Sequence, residues 1–239
     1  MIPEQALVFL VFAAQLSALL CSVDTAPLQM IVFGNAGSGK TWIFKALEAF
    51  YTKLQCSPLM TSCAFTGSAA AQIHGSTAHH LFRWSLKSLK SMEETTPMRR
   101  LCRTIFWKSL HLLVHDEFSN DSGSMIHAIH ESINQFRELQ GEKTEPFGGL
   151  DILFMGDPQQ LSPPGRTSLF DSLDKYPPTK TRFRDKLGQQ LWRSIPFAVE
   201  LPGFQRFEKQ YGTYLNHVLD DSITDIELHK MQQRQIQHV

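Results

Sequence analysis

The chain has 239 residues, of which 42% are hydrophobic, and this is enough apolar material for the core of a sizeable globular domain. Lysine plus arginine equal aspartate plus glutamate at 23 each, so the chain lacks the global basic field of many nucleic-acid binders, and any such contact must be local. The four cysteines show neither C-x-x-C pairing nor zinc-finger spacing, which favours a reducing compartment over a disulfide framework.

The first element is an apolar segment from Ala6 to Leu20. It has the length of a signal-peptide core, but Glu4 stands where a basic flank is expected, and no basic residue precedes Lys40. The segment is also short for a bilayer span. We therefore expect a buried helix within residues 1–27 and no membrane contact.

A glycine-rich segment follows a short apolar run. It matches the pattern G-x-x-x-x-G-K-[ST] at each fixed position and reads Gly34-Asn35-Ala36-Gly37-Ser38-Gly39-Lys40-Thr41. The run before it is typical of a buried parallel strand, and an amphipathic helix is predicted after it. At such a turn, backbone N–H groups and the helix N-terminus attract phosphates. Lys40 would reach the β- and γ-phosphates of a nucleoside triphosphate, and Thr41 would bind Mg²⁺. The helix predicted before this strand, packed on it, would place Gln5 near the base of that nucleotide.

Polar and aromatic side chains after the second apolar run suit contact with single-stranded DNA. Thr66, Thr77, His79 and His80 offer donors to phosphates, and Phe82 or Trp84 could stack on a base, because stacking tolerates any base sequence. A place in the core is an equal alternative for each of the two rings.

Two later apolar runs also end in polar residues, as a triphosphatase site requires. The run that begins at Leu112 ends in Asp116 and Glu117. We expect Asp116 to hold Mg²⁺ and Glu117 to orient and deprotonate the attacking water. The run at Leu153 is followed by glutamines, and a glutamine amide there can bond the γ-phosphate.

Apolar runs alternate with helical segments along the whole chain. The runs lie near 28–33, 60–65, 110–115, 150–155 and 197–201. This alternation predicts an α/β fold of the P-loop NTPase type, a RecA-like parallel sheet covered by helices. The proline-bearing stretch 162–184 is predicted to be an ordered irregular loop over the site.

The order of these blocks resembles the RecD/Pif-type branch of the superfamily 1 DNA helicases, including the helicases of Helitron transposons. The resemblance covers most of the chain between Pro3 and Asp225, and implies a RecA-like motor domain over residues 28–239. The blocks that carry it are Pro3-Glu4-Gln5, the glycine-rich segment, Ala64 to Ala71, Gly75 to Phe82, Asp116-Glu117, Gly156 to Pro164 and, more weakly, Glu200 to Arg206.

The resemblance also implies roles for single residues. Gln5 would read adenine, Gln160 would sense the γ-phosphate, and Arg206 would contact that phosphate. Residues of the third and fourth blocks would lie along single-stranded DNA, namely Thr66, Gly67, Thr77, His79 and Phe82. One departure is His115, which stands where the family usually has a β-branched residue before the acidic pair.

As a whole, the resemblance implies an ATP-dependent 5′-to-3′ DNA helicase with Mg²⁺ as its metal, acting in DNA repair, recombination and telomere maintenance. Its expected location is the nucleus, with the mitochondrion as the alternative. Motors of this family have two RecA-like domains, and we expect the second to be missing here, so hydrolysis would be weak or absent unless that domain acts in trans. The alternatives are a half-motor or transposon relic without unwinding activity, and an unrelated P-loop kinase or GTPase.

Overall fold

The computed structural model describes most of the chain. Predictions for Arg206 and for parts of the stretch 162–184 lie outside the described residues. The structure describes residues 1–85, 89, 96–138, 145–160, 163, 167–172, 180–203 and 224, without the side chains of 180–182.

Six strands form one sheet in the described part of the chain. They are β1 (Gln29–Phe33), β2 (Met60–Ala64), β3 (Ser76–Thr77), β4 (Leu112–Asp116), β5 (Asp151–Gly156) and β6 (Phe197–Glu200). Their order is β3-β2-β4-β5-β1-β6, and every pairing is parallel. The central strands β4 and β5 are almost wholly buried, as expected where helices cover both faces of a sheet. The predicted α/β fold is confirmed.

Seven α-helices connect the strands of the described part. They are α1 (Pro3–Leu20), α2 (Lys40–Lys53), α3 (Gly67–Gln72), α4 (Ala78–Leu81), α5 (Pro97–Ser109), α6 (Gly123–Phe136) and α7 (Lys180–Arg193). Short 3₁₀ turns occupy Ser57–Leu59, Phe118–Asn120 and Pro146–Gly149.

The sheet separates two hydrophobic cores, because successive side chains of a strand point to opposite faces. On β5, Phe154 belongs to a core rich in aromatic rings that also contains Trp107 of α5 and Trp192 of α7. Its neighbour Leu153 belongs to a mainly aliphatic core that contains Leu47 of α2. The first core lies under α5, α6 and α7, and the second lies under α1, α2 and α3.

Helix α1 is buried along one face only, so the prediction of a buried helix is met in part. Its buried side chains recur at helical spacing and are Gln5, Val8, Phe12, Ala13 and Leu16. Leu7 and Leu10 on the opposite side are 54% and 61% exposed. By length and composition alone, this is the one helix in the described ranges that could cross a membrane, and 28% of it is buried. Core helices of soluble proteins and signal sequences share these properties.

Helices α6 and α7 cross in unusually close contact. A methyl group on Gly188 would lie 1.7 Å from the carbonyl oxygen of Gly123, so the crossing requires glycine. Asp185 of α7 accepts a hydrogen bond of 2.6 Å from the backbone N–H of Ser124, which satisfies a free donor at the start of α6. The prediction of an irregular loop up to residue 184 is therefore wrong for 180–184, which belong to α7.

Strand β6 lies at one edge of the sheet in the described part of the chain. Three of its four residues are exposed, and Phe197 is half exposed. Pro196 precedes the strand and Pro202 follows it by two positions.

Candidate nucleotide site and nucleic-acid face

The carboxyl ends of the strands meet at one level of the sheet. Phe33 at the end of β1 pairs with Gly156 and with Glu200, and Ala64 at the end of β2 pairs with Asp116 and Thr77. The segments that carry the predicted site residues therefore leave the sheet side by side. Open α/β sheets bind their ligands at this edge.

The glycine-rich segment forms a tight turn between β1 and α2. Gly37 and Gly39 adopt positive φ angles of 85° and 93°, which disfavour residues with a side chain. A methyl group on Gly34 would lie 2.7 Å from the carbonyl oxygen of Leu201 and 2.8 Å from Ser38 Oγ. The backbone can therefore wrap closely only because these positions are glycines.

Lys40 begins α2 and reaches back over this turn. Its Nζ donates to the carbonyl oxygens of Gly34 at 2.5 Å and Asn35 at 3.1 Å. Ser38 is fully buried, and its Oγ has no hydrogen-bond partner within the described residues. A cavity of about 580 Å³ opens beside Lys40 and Thr41. The ammonium group, the N-terminus of α2 and the glycine turn together suit a phosphate chain.

Gln5 of α1 is hydrogen-bonded to the backbone of the glycine turn. The side chain is 4% exposed, and its Nε2 donates to the carbonyl oxygens of Gly39 at 3.2 Å and Ser38 at 3.5 Å. Its Oε1 accepts from the backbone N–H of Ile2 at 3.0 Å. The sequence placed Gln5 near the nucleotide, and in the structure it contacts the turn itself. Its reading of adenine stays a prediction.

The acidic pair lies at the end of β4. Burial raises the pKa of Asp116, and the nearby Lys40 ammonium opposes that shift. Glu117 adopts a left-handed backbone conformation with φ of 61°, and its N–H donates to Asp116 Oδ1 at 2.9 Å. Glu117 Oε2 accepts a hydrogen bond of 2.8 Å from Thr66 Oγ1. This contact joins the ends of β2 and β4, and sequence reasoning missed it.

Thr41 and Asp116 are the residues that would hold Mg²⁺. The described residues contain no group of three or more histidine, cysteine, aspartate or glutamate side chains that could bind a metal ion by themselves. Mg²⁺ keeps several waters and commonly takes only one or two carboxylates together with phosphate oxygens. A hydroxyl and one carboxylate beside a phosphate site fit this preference.

Gln160 lies in the turn after β5 and is exposed. Its backbone N–H donates to the carbonyl oxygen of Asp157 at 3.1 Å, while Asp157 Oδ1 accepts from the N–H of Gln159 at 3.0 Å. These bonds fix the turn at the carboxyl edge of the sheet. The contact of Gln160 with a γ-phosphate stays a prediction.

The predicted DNA residues lie beside the acidic pair, at the ends of β2 and β3. Thr66 caps α3 and Thr77 caps α4 through their side-chain oxygens. Gly67 is exposed, and a methyl group there would meet nothing within 4 Å. The groove next to them has a volume of about 920 Å³ and is lined by Ser76, Thr77, His79, His80, Leu81, Arg83, Trp84 and Arg103. Arg83 and Arg103 are candidate phosphate contacts that the sequence did not indicate.

Phe82 belongs to the core, so the prediction that it contacts DNA is wrong. The ring is 0% exposed and is stacked between Trp84 and Trp107, with ring centroids 5.0 and 5.3 Å apart. A ring enclosed on both faces cannot stack on a base. His79 is half-buried against the edge of Trp84, so it remains beside the groove.

Comparison with known proteins identifies the chain. The family model for PIF1-like helicases matches residues 14–171, which include the glycine-rich turn and the acidic pair. The chain belongs to the PIF1-like helicase family. The family predicted from the sequence is thereby confirmed.

Curated PIF1-like relatives match slightly more than half of the chain. The ATP-dependent DNA helicase PIF3 of Trypanosoma brucei brucei is 31% identical over 133 residues, or 56% of this chain and 15% of that protein. The ATP-dependent DNA helicase RRM3 of Saccharomyces cerevisiae is 27% identical over 134 residues, or 54% of this chain and 18% of that protein.

Solved PIF1-like structures share the fold. Pif1 helicase from Candida albicans superposes with a TM-score of 0.67 at 19% identity, over 98% of this chain and 47% of that one. Bacteroides Pif1 bound to ssDNA superposes with a TM-score of 0.64 at 22% identity, over 98% of this chain and 50% of that one. The chain thus spans about half the length of these solved relatives.

A buried polar cluster lies under the acidic pair of this PIF1-like domain. His115 and Asp121 are both 0% exposed, and His115 Nε2 lies 2.6 Å from Asp121 Oδ2. On its other side, His115 Nδ1 lies 3.1 Å from the sulfur of Cys63. Burial lowers the pKa of His115, but the Asp121 carboxylate more than reverses this and leaves the pKa well above its usual value. The departure of His115 from the family pattern was the visible signal for this cluster.

Proposed function

We propose that this chain binds ATP with Mg²⁺ and engages single-stranded DNA, as a motor domain of an ATP-dependent DNA helicase. One observation carries the proposal. Three segments lie together where the parallel strands end, namely the phosphate-binding turn, the acidic pair and the Thr66 segment. Membership of the PIF1-like family supports it. The relatives named above are themselves ATP-dependent DNA helicases.

The proposed chemistry follows from the placement of single groups. Lys40 would stabilise the charge on the β- and γ-phosphates, and the glycine turn would orient the phosphate chain. Glu117 would accept a proton from the attacking water as general base. Bound Mg²⁺, held by Thr41 and Asp116, would neutralise phosphate charge. Gln160 and Arg206 are proposed to contact the γ-phosphate.

The proposed DNA path runs along the groove beside β3. Thr66, Gly67, Thr77 and His79 would contact phosphates, and the two arginines of the groove would add positive charge. Movement from 5′ to 3′, roles in repair, recombination and telomere maintenance, and action in the nucleus are proposed from the family alone.

The test measures nucleotide binding and hydrolysis by the purified chain, with and without an oligo-dT strand. Binding of a fluorescent ATP analogue should weaken at least about tenfold in Lys40→Ala, since a charge-assisted contact to phosphate is lost. Lys53→Ala removes a lysine from the far end of the same helix and serves as the matched control. Single-turnover hydrolysis with the chain in excess detects even slow cleavage.

The outcomes separate the alternatives. DNA-stimulated hydrolysis that disappears in Lys40→Ala would establish a working motor ATPase. Lys40-dependent binding without hydrolysis would assign a nucleotide-binding half-motor that needs a further domain. ATP binding that is indifferent to Lys40 would refute the proposed nucleotide site.

A further inference from the structure

The hydrogen bond between Thr66 and Glu117 joins the two halves of the proposed site. Thr66 belongs to the segment proposed to contact DNA, and Glu117 is the proposed general base. The two residues are 51 positions apart, yet the neighbouring pair Ala64 and Asp116 are in register on adjacent strands. Parallel pairing therefore places both groups just beyond the same sheet level.

The Thr66 hydroxyl is fully engaged in this arrangement. It has one proton, which it donates to Glu117 Oε2 at 2.8 Å. Its oxygen accepts from the backbone N–H of Ala69 at 3.2 Å and lies 3.1 Å from Ser68 Oγ, which must then be the donor. One donor and two acceptor positions are thus all in use. No proton is left for a DNA phosphate while Glu117 is held.

A DNA phosphate and the Glu117 carboxylate are therefore competing acceptors for one proton. Both carry negative charge, so each forms a charge-assisted bond with the hydroxyl. The groove that begins at Ser76 and Thr77 lies beside β2, on the side of Thr66 away from the phosphate-binding turn. A strand that extends from this groove across the end of β2 would approach Thr66 from the side opposite the phosphate-binding turn.

We infer that the Thr66 hydroxyl couples DNA binding to hydrolysis by exchanging Glu117 for a DNA phosphate. Without DNA the bond holds the Glu117 side chain by Oε2 and uses one of the lone pairs that its carboxylate could offer to the attacking water. With DNA bound, the Thr66 hydroxyl rotates and donates its hydrogen bond to the phosphate instead. The Glu117 carboxylate then no longer has this bond. This inference rests on the proposed engagement of single-stranded DNA. Thr66 acts through Glu117 and is a positioning residue.

If the exchange occurs, Glu117 weakens DNA binding by competing for the Thr66 proton. The affinity for DNA can be measured in the absence of ATP hydrolysis. The experiment determines the Kd of a fluorescein-labelled oligo-dT strand by anisotropy at one fixed salt concentration. Glu117→Ala removes the acceptor, so it should tighten binding about tenfold, the factor expected for one freed charge-assisted hydrogen bond. Glu117→Gln removes the same charge but keeps an acceptor, and it should tighten binding only about twofold to threefold.

A double-mutant cycle isolates the hydroxyl. In a Thr66→Val background, Glu117→Ala should give only the small gain that comes from charge, whereas in Thr66→Ser the gain of about tenfold should return. Serine keeps both the proton and the cap of α3, so this rescue excludes a purely structural effect of valine. Thermal melts report whether each variant is folded. The comparison of Glu117→Ala with Glu117→Gln stands even if the valine variant unfolds.

Two results would overturn the inference. Equal affinities for Glu117→Ala and Glu117→Gln, with the same gain in every Thr66 background, would make the bond a structural contact and leave the proposed DNA binding intact. Undetectable oligo-dT binding by the unmodified chain at low salt would remove DNA engagement and the exchange together. Lys40-dependent nucleotide binding would remain in that case.

Discussion

The parallel strands have a carboxylate with a raised pKa at each of their two ends, and the surroundings of these two carboxylates differ. At the carboxyl edge, burial raises the pKa of the half-buried Asp116, and the nearby Lys40, which lines an open cavity, opposes this shift. At the amino edge, burial raises the pKa of Asp151 to about 6. Asp151 Oδ1 accepts from the backbone N–H of Leu28 at 2.7 Å, and its Oδ2 has no hydrogen-bond partner in the described part of the chain.

The difference shows that a raised pKa alone does not identify a functional site. Asp116 lies near Lys40 at the end of β4, whereas Asp151 lines a separate pocket of about 340 Å³ together with His111 and Arg137. Asp151 holds the start of β1 through its bond to Leu28, and the ring of His111 lies beside it, with Nε2 3.6 Å from Oδ2. His111 in turn shares a 2.8 Å hydrogen bond with the Tyr51 hydroxyl. A raised pKa, a nearby cation and a pocket thus occur at both edges, whereas the glycine turn that suits a phosphate chain lies at the carboxyl edge.

The largest expected effect concerns a third buried carboxylate, Asp121, which has a cationic partner. His115→Val should lower the free energy of unfolding by about 4 kcal/mol, because it leaves a buried charge without its partner. Urea denaturation measures this. The double variant His115→Val/Asp121→Ala should recover part of the loss, and a single variant as stable as the unmodified chain would show that the pair is not ionised.

A smaller effect is expected at the phosphate-binding turn. Gly34→Ala should weaken ATP-analogue binding about a hundredfold, because the added methyl group displaces the turn and should cost one or two charge-assisted contacts to phosphate, each of about 1.5–3 kcal/mol. Gly67→Ala is the control for folding, since its methyl group meets nothing within 4 Å. Unchanged affinity in Gly34→Ala would mean that the turn can relax around a side chain.

The smallest effect is a pH dependence at the amino edge. Because the folded-state pKa of Asp151 is raised from 3.8 to about 6, the protonated form is favoured in the folded state, and stability falls as pH rises through this window. Between about pH 4.5 and pH 7 the free energy of unfolding should fall by about 2 kcal/mol.

Asp151→Asn can keep the bond to Leu28 and should abolish this loss, so the variant should be the more stable protein at neutral pH. Unfolding free energies at the two pH values test the prediction. Asp24→Asn, at an exposed position, is the control. An unaltered pH profile in Asp151→Asn would place the titrating group elsewhere.

Local patterns predicted the parts of the molecule that depend on neighbouring residues. The glycine turn, five of the six described strands and the acidic pair follow from short segments whose geometry is set by their own sequence, whereas the two-residue strand β3 was not predicted. The Thr66–Glu117 bond and the His115–Asp121 pair depend on which strands are adjacent and on how the chain turns after β4. No spacing in the sequence contains that information.

Other errors arose where one residue type suits two environments. An aromatic residue such as Phe82 fits a core as well as a base-stacking surface, and only the positions of Trp84 and Trp107 decide between them. Prolines led to the prediction of a loop up to residue 184, whereas α7 begins at Lys180. In α1, apolar residues continue around the helix, so composition could not show which face is covered.

The flanks of β6 bear on how the protein behaves in concentrated solution. An uncovered edge strand offers unpaired N–H and C=O groups to any extended segment of another molecule and can seed aggregation. Pro196 has no N–H to donate, and Pro202 interrupts the extended backbone soon after the strand. These two prolines confine the accessible ladder to four residues. Within the described residues, replacing them would be expected to lengthen the template that β6 offers to a second chain.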